Sequence, residues 1–220
     1  MRFGLILCPG TSLDLLPEDI YRHAMAQGIV ISCSKVYQTK WKAHWTVLVD
    51  DYGPGHLNQS HAQVCYVPWL LIERHWEHSG KNLVALPTID RLGYNLSLVA
   101  ALKLALGWHD GSFQMPLQDV INPNTRVIRN PVKLWALFGA DGGPKPGCPQ
   151  TVHYAEGISQ PRAPKSMRNE NIERWMSDFG QLMACTRDTK IVNMSPWSRY
   201  QCFGKMSMEM LRKCVGLKVT

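Results

Sequence analysis

The stretch "LILCPGTSLDLLPEDI", residues 5–20, decides how the chain reads. An apolar run stops at Pro9-Gly10, passes through Thr11 and Ser12, and resumes as an acid-bearing segment opened by Pro17. A buried strand, a tight turn of small residues and a helix N-terminus follow in that order where α/β proteins build a floor for a phosphate or nucleotide. A plain connection between strand and helix has the same order, because a lone small-residue turn is a weak signal.

The alternation continues downstream. "PEDIYRHAMAQ" is a helix with Pro17 at its start and Gly28 as its stop. "GIVISCS" and "HWTVLVDD" read as the second and third strands, each closing on small polar or acidic residues. "QVCYVPWLLIERHWEH" is a strand and a short helix, and "NLVALP" a further strand. "NLSLVAALKLALGW" is apolar nearly all round and is therefore a buried helix. "VKLWALFGADGG" is a strand with its exit loop, "NENIERWMSDFGQLMAC" an amphipathic helix, "TKIVNMS" the last strand and "SMEMLRKC" the last helix. Short apolar strands alternating with helices predict an α/β protein with a mainly parallel sheet and helices on both faces. Residues 109–131, rich in Asn, Pro and Gly, read as an excursion from the core. The Pro/Gly-rich residues 144–165 read as a lid-like segment. One domain over residues 1–220 is the expected organisation.

Charge and cysteine content narrow the partners and the compartment. A formal charge of +7 and a pI near 9.1 favour acidic partners: nucleotides, nucleic acid or an anionic glycan. Seven cysteines with no repeated spacing, several inside apolar runs, predict reduced core residues and no disulfide framework. No apolar run reaches the roughly 20 residues of a membrane span, and the start lacks a signal-peptide pattern, so a cytoplasmic protein is expected.

In open parallel sheets ligands lie beyond the carboxyl ends of the strands. That rule gathers Cys8 to Ser12, Ser32 to Ser34 and Asp50-Asp51 along one edge, and it places Asp141 there as well. Asp50 and Asp51 also suit a turn with Gly53, and Asp141 before Gly142-Gly143 is an ordinary turn former. His153 falls inside the lid-like segment. His75 and His78 have one-turn spacing, but no Cys or Asp set completes a ligand group, so no metal site is assigned.

The ordered set "ILCPGTSL", "VLVDD", "YNLSLVAALKLALG", "LWALFGADGG", "VHYAEG" and "TKIVNMSPWSRYQCFGKM" resembles a Rossmann-like group. It includes single-domain bacterial CMP-sialic acid-dependent sialyltransferases, related phage and bacterial proteins, and MptE-like hydroxymethylpterin pyrophosphokinases. The resemblance implies that the donor's phosphates sit near Pro9, Gly10, Thr11 and Ser12, with Cys8 where relatives have the first Gly of the turn. It places Ser34 where relatives set an Asn against the nucleotide, and Asp50 or Asp51 where they have Asn or Asp. Tyr94, Asn95 and Ser97 fall at the start of the helix that contacts the donor. Asp141 closes a strand ending Gly-x-Asp, and Ser195 and Ser198 lie near the nucleotide. The general base of the sialyltransferases falls at His153, or at Gly157 when the segment is read without gaps, with Tyr154 beside the leaving phosphate.

The function these residues imply is a nucleotide-sugar-dependent glycosyltransferase, with a glycan or other hydroxyl as acceptor. The chain has no clean Asp-x-Asp motif, which favours a metal-independent mechanism without a resident cofactor. The alternative is an MptE-like pyrophosphokinase in which Asp50, Asp51 and Asp141 hold Mg²⁺ between ATP phosphates. A non-enzymatic nucleotide- or nucleic acid-binding module rests on the charge alone.

Overall fold

Seven short runs of mostly apolar residues line up as parallel neighbours and set the architecture. The computed structural model describes residues 3–50, 58–60, 62, 64–75, 82–86, 96–106, 108–109, 112–113, 132–149, 154–158, 169–184 and 189–218. In chain order these carry β1 (Phe3–Leu7), α1 (Glu18–Gln27), β2 (Ile29–Cys33), β3 (Trp45–Val47), β4 (Val64–Val67), α2 (Trp69–His75) and β5 (Asn82–Ala85). There follow α3 (Ser97–Leu106), a two-strand hairpin β6 (Trp108–His109) and β7 (Ser112–Phe113), β8 (Leu134–Phe138), α4 (Asn169–Ala184), β9 (Lys190–Asn193) and α5 (Met208–Val215).

The sheet order is β5-β4-β3-β2-β1-β8-β9, and each adjacent pair runs parallel. Leu5 of β1 sits opposite Val30 on one side and Ala136 on the other. All five residues of β1, β2 and β8 are buried. Strands covered on both faces read as continuous apolar runs, which is why these three were legible in the sequence.

Period-two alternation splits the side chains between two cores. Ile6, Ile31, Val47, Trp135, Leu137 and Ile191 pack under α3 and α4, against Leu98, Leu102, Ile172, Trp175 and Phe179. Leu5, Leu7, Val30, Ala136, Phe138 and Val192 face the other way, against Ile20 and Ala24 of α1 and Leu211 and Val215 of α5. Helices therefore cover both faces, and the molecule has the Rossmann-like α/β architecture that the alternation predicts.

Local chemistry sets the ends of the helices. Pro17 caps α1 in an extended conformation, Glu18 and Asp19 complement the dipole in its first turn, and the Gly28 N–H closes it on the Ala24 carbonyl. Ser207 caps α5 by accepting from the Met210 N–H, and Gly216 ends that helix in the left-handed region, at φ 80°.

Two details differ from the sequence reading. β3 has only three residues, and the chain continues irregularly through Leu48, whose N–H still donates to the Tyr66 carbonyl. The turn after β1 is a 3-10 helix over Thr11–Leu15, and a second covers Ser34–Gln38 after β2. The excursion at 109–131 lies outside the described residues except for part of the β6–β7 hairpin.

Candidate functional site

The chain moves outward from β1 through β2 to β5 on one side, then returns to place β8 and β9 on the other. The switch point therefore lies between β1 and β8, the position at which open parallel sheets place their ligands. The loops after β1 and β8, residues 8–12 and 139–143, meet at this point.

They meet by direct interlock. The Cys8 N–H donates to the Phe138 carbonyl at 2.7 Å and the Gly10 N–H to the Gly139 carbonyl at 3.0 Å. A Cβ on Gly10 would collide with the Gly139 carbonyl and lie 2.7 Å from an Asp141 carboxylate oxygen. Gly139 holds φ 76°, and a Cβ there would strike the Cys8 carbonyl. Only glycine allows the two backbones this approach.

Asp141 locks the junction. Its carboxylate accepts from the Thr11 hydroxyl at 3.0 Å, from the Ser12 N–H at 2.9 Å and from the Ser12 hydroxyl. The Ser12 hydroxyl oxygen in turn accepts from the Gly139 N–H at 3.0 Å. Ser12 and Asp141 are both buried. The first turn is thus an anion-holding turn, as its small residues suggest, and the anion it holds is the protein's own carboxylate.

The exit of β9 is tied to the exit of β8 by one amide. Asn193 Nδ2 donates to the Ala140 carbonyl and to Ser198 Oγ, each at 2.9 Å, while its Oδ1 accepts from the Ser195 N–H at 3.1 Å. Ser198 Oγ also donates to the Ala140 carbonyl at 2.7 Å and accepts from the Tyr200 N–H. Ser198 therefore spends its hydroxyl on the scaffold. Ser195 is fully buried and its Oγ has no hydrogen-bond partner among the described residues. The Lys205 ammonium donates to the Ser195 carbonyl at 2.8 Å. Asn193 and Lys205 were missed by sequence reasoning. An Asn closing the strand "KIVN" was an available signal, since strands disfavour it, whereas Lys205 carries no motif.

The described part of the lid-like segment is docked on the first turn. Tyr154 forms an antiparallel bridge with Gly10, the Ala155 N–H donates to the Pro9 carbonyl at 2.8 Å, and Ala155 and Ile158 are buried. The Glu156 N–H reaches both carboxylate oxygens of Asp14, at 3.2 and 3.3 Å. Burial and the nearby charges of Glu156 and Asp141 push the Asp14 pKa up, against the Glu156 N–H. Tyr154 is half-buried, and burial, with a smaller push from the charge of Asp50, raises its phenol pKa. The phenol therefore keeps its proton at neutral pH.

At the end of β2, Ser34 adopts φ 53°, a left-handed conformation that Asn also favours among non-glycine residues. Cys33 donates from Sγ to the Ser97 carbonyl at 3.7 Å, which brings the start of α3 to the same edge. Contact with Cys33, then burial, raise the pKa of the buried Cys8 thiol well above its ordinary value. His153, Asp51 and Asn95 lie outside the described residues. Among the sequence-assigned residues, the structure joins Pro9, Gly10, Thr11, Ser12, Asp141 and Tyr154 in one cluster, with Ser195 and Ser198 on the adjoining strand exit.

Fold and edge define a class: a parallel α/β protein whose strand order reverses between β1 and β8. Comparison with protein-family models, with curated proteins and with solved structures finds no match to this chain. Among the described residues, no helix is long and apolar enough to cross a membrane.

Proposed function

We propose that the protein is a nucleotide-sugar-dependent glycosyltransferase whose donor lies across the carboxyl edge between β1 and β8. The observation that carries the reading is the switch point itself, where three exit loops and the docked Tyr154 segment converge over the Asp141-locked turn. In this reading His153, one residue before Tyr154 in the chain, takes the proton of the acceptor hydroxyl. The acceptor oxygen then attacks the anomeric carbon as the bond to the nucleotide phosphate breaks. Tyr154, a neutral phenol at working pH, donates a hydrogen bond to the departing phosphate. In this reading Ser34, half-buried at the end of β2, faces the nucleotide.

The metal-independent form is favoured because Asp141, the carboxylate a Mg²⁺ site would recruit, already accepts from Thr11 and Ser12. A thermal-shift series with CMP, UDP, GDP and ATP, each with Mg²⁺ or EDTA, tests the reading, since a ligand that binds only the native state raises Tm. Stabilisation by CMP or UDP that persists in EDTA is the expected outcome. Stabilisation by ATP alone, lost in EDTA, would replace it with the pyrophosphokinase reading. Once donor and acceptor are in hand, His153→Ala should lower kcat by roughly 10² to 10⁴ with nucleotide affinity nearly unchanged.

A further inference from the structure

A phosphate at this edge needs a positive partner, and the first turn does not offer one. The Gly10 N–H is taken by Gly139, the Ser12 N–H by Asp141 and the Leu13 N–H by the Gly10 carbonyl, and both hydroxyls of Thr11 and Ser12 serve Asp141. The anionic slot of the turn is filled. A second anion placed there would meet the carboxylate at close range, which disfavours it.

We infer that Lys205 is the phosphate-binding cation of this edge, its ammonium presented from the exit of β9, which Asn193 ties to the exit of β8. This rests on the reading of the edge as the site of a phosphate-bearing ligand. Lys205 is held at both ends of its length. Its backbone follows Gly204, which bridges Val192 of β9 and whose carbonyl accepts from the Asn193 N–H at 2.8 Å. Its Nζ is anchored on the Ser195 carbonyl. An ammonium has three donors, so two remain for a ligand. Among the described residues no carboxylate forms an ion pair with it. Burial lowers its pKa, while the charge of Asp141 acts in the opposite sense. Lys205 is itself exposed, so an ammonium tethered to one carbonyl and bonded to no carboxylate among the described residues stands open to an anion arriving from solvent. The oxygens of Asp141 are committed to Thr11 and Ser12. The fitting ligand chemistry is the phosphate of a nucleotide, not a neutral sugar.

The test is calorimetric titration of inorganic pyrophosphate and of CDP into the wild type, Lys205→Met and Lys205→Arg. Methionine keeps the apolar stem and removes the charge. The expected result is binding by the wild type, a loss of about tenfold to a hundredfold in Lys205→Met for both probes, and partial recovery in Lys205→Arg. Equal affinity of wild type and Lys205→Met would overturn the assignment and leave the nucleotide reading standing. Pyrophosphate binding that needs Lys205, without any nucleotide binding, would support the assignment and remove the nucleotide reading. Binding of neither probe by the wild type would overturn both. If Lys205→Met fails to fold, amide shifts of the wild type during the pyrophosphate titration decide instead. Perturbation centred on residues 195–205 supports the assignment, and perturbation confined to residues 10–13 or absent from both loops refutes it.

Discussion

Asp141 ties the exit of β8 to the first turn, pairing donors contributed by a loop far away in sequence. Asp141→Asn preserves volume but turns one acceptor oxygen into an NH₂ group facing donors from Thr11 and Ser12. Leaving a buried donor unpaired costs about 1–3 kcal/mol, so chemical denaturation should show a loss of that order even without ligand. A denaturation midpoint equal to wild type would mean that the interlock is not part of the folded state's stability. His44 makes a second residue-level prediction at the opposite edge of the sheet. Its Nδ1 accepts from the Val30 N–H at 2.9 Å, which only the unprotonated nitrogen can do. Burial lowers its pKa below 6.5, with the Met25 carbonyl pulling weakly the other way. The unfolded chain therefore binds the proton more readily than the native one. The stabilising contribution is present above pH 6.5 and is lost as pH falls through the lowered native value. His44→Gln should flatten the stability profile over that window. A wild-type profile with no slope there would show that His44 binds its proton equally well folded and unfolded, and that the Val30 contact sets no pH dependence.

At the scale of elements, the junction of the first turn with the exit of β8 behaves as one unit. Gly10→Ala introduces a Cβ that collides with the Gly139 carbonyl and crowds Asp141, so one of the two loops must move. Overpacking of this kind typically costs 1–3 kcal/mol, and we expect about that loss in urea denaturation, together with weaker nucleotide binding. If Gly10 faced only a phosphate, a substitution there would spare the fold and remove only the ligand. The structure gives a reason for the opposite expectation, since the close neighbour of Gly10 is protein backbone. A Gly10→Ala variant of wild-type stability would show that the loops separate easily. The helices and central strands were legible because their causes are local. Pro17 and Gly28 bracket α1, and β1, β2 and β8 are apolar runs whose burial on both faces needs no knowledge of partners. The pairing of Ser12 with Asp141 spans 129 positions, and nothing at either end names the other. Lys205 was silent for the same reason: its place is set by the Val192–Gly204 bridge and the Ser195 carbonyl, contacts that no periodicity encodes.

For the whole molecule, the order of the sheet dictates where stability resides. β1 is paired on both sides, by β2 and β8, and its five residues are buried between the α3–α4 layer and the α1–α5 layer. Exposing its amides requires separating both layers, which amounts to unfolding the protein. Among the described residues, β5 closes one end of the sheet beside β4, and β9 closes the other beside β8. Local opening draws on segments with few buried contacts, so exchange should be graded outward from the centre. Native-state hydrogen exchange should find the slowest amides at Leu5–Leu7 and Ala136–Phe138, with opening free energies equal to the global value. Amides of β5 and of the exposed face of α5 should exchange by smaller openings. The carboxyl edge adds a finer test, since the Ser12 and Gly139 amides lie in loops yet donate to buried acceptors joined through Asp141. They should exchange as slowly as the strands they follow, and in Asp141→Asn they should speed up while Leu5 does not. If these two amides exchange at loop rates in the wild type, the edge is an open platform, and the argument that its first turn is already filled by a carboxylate fails with it.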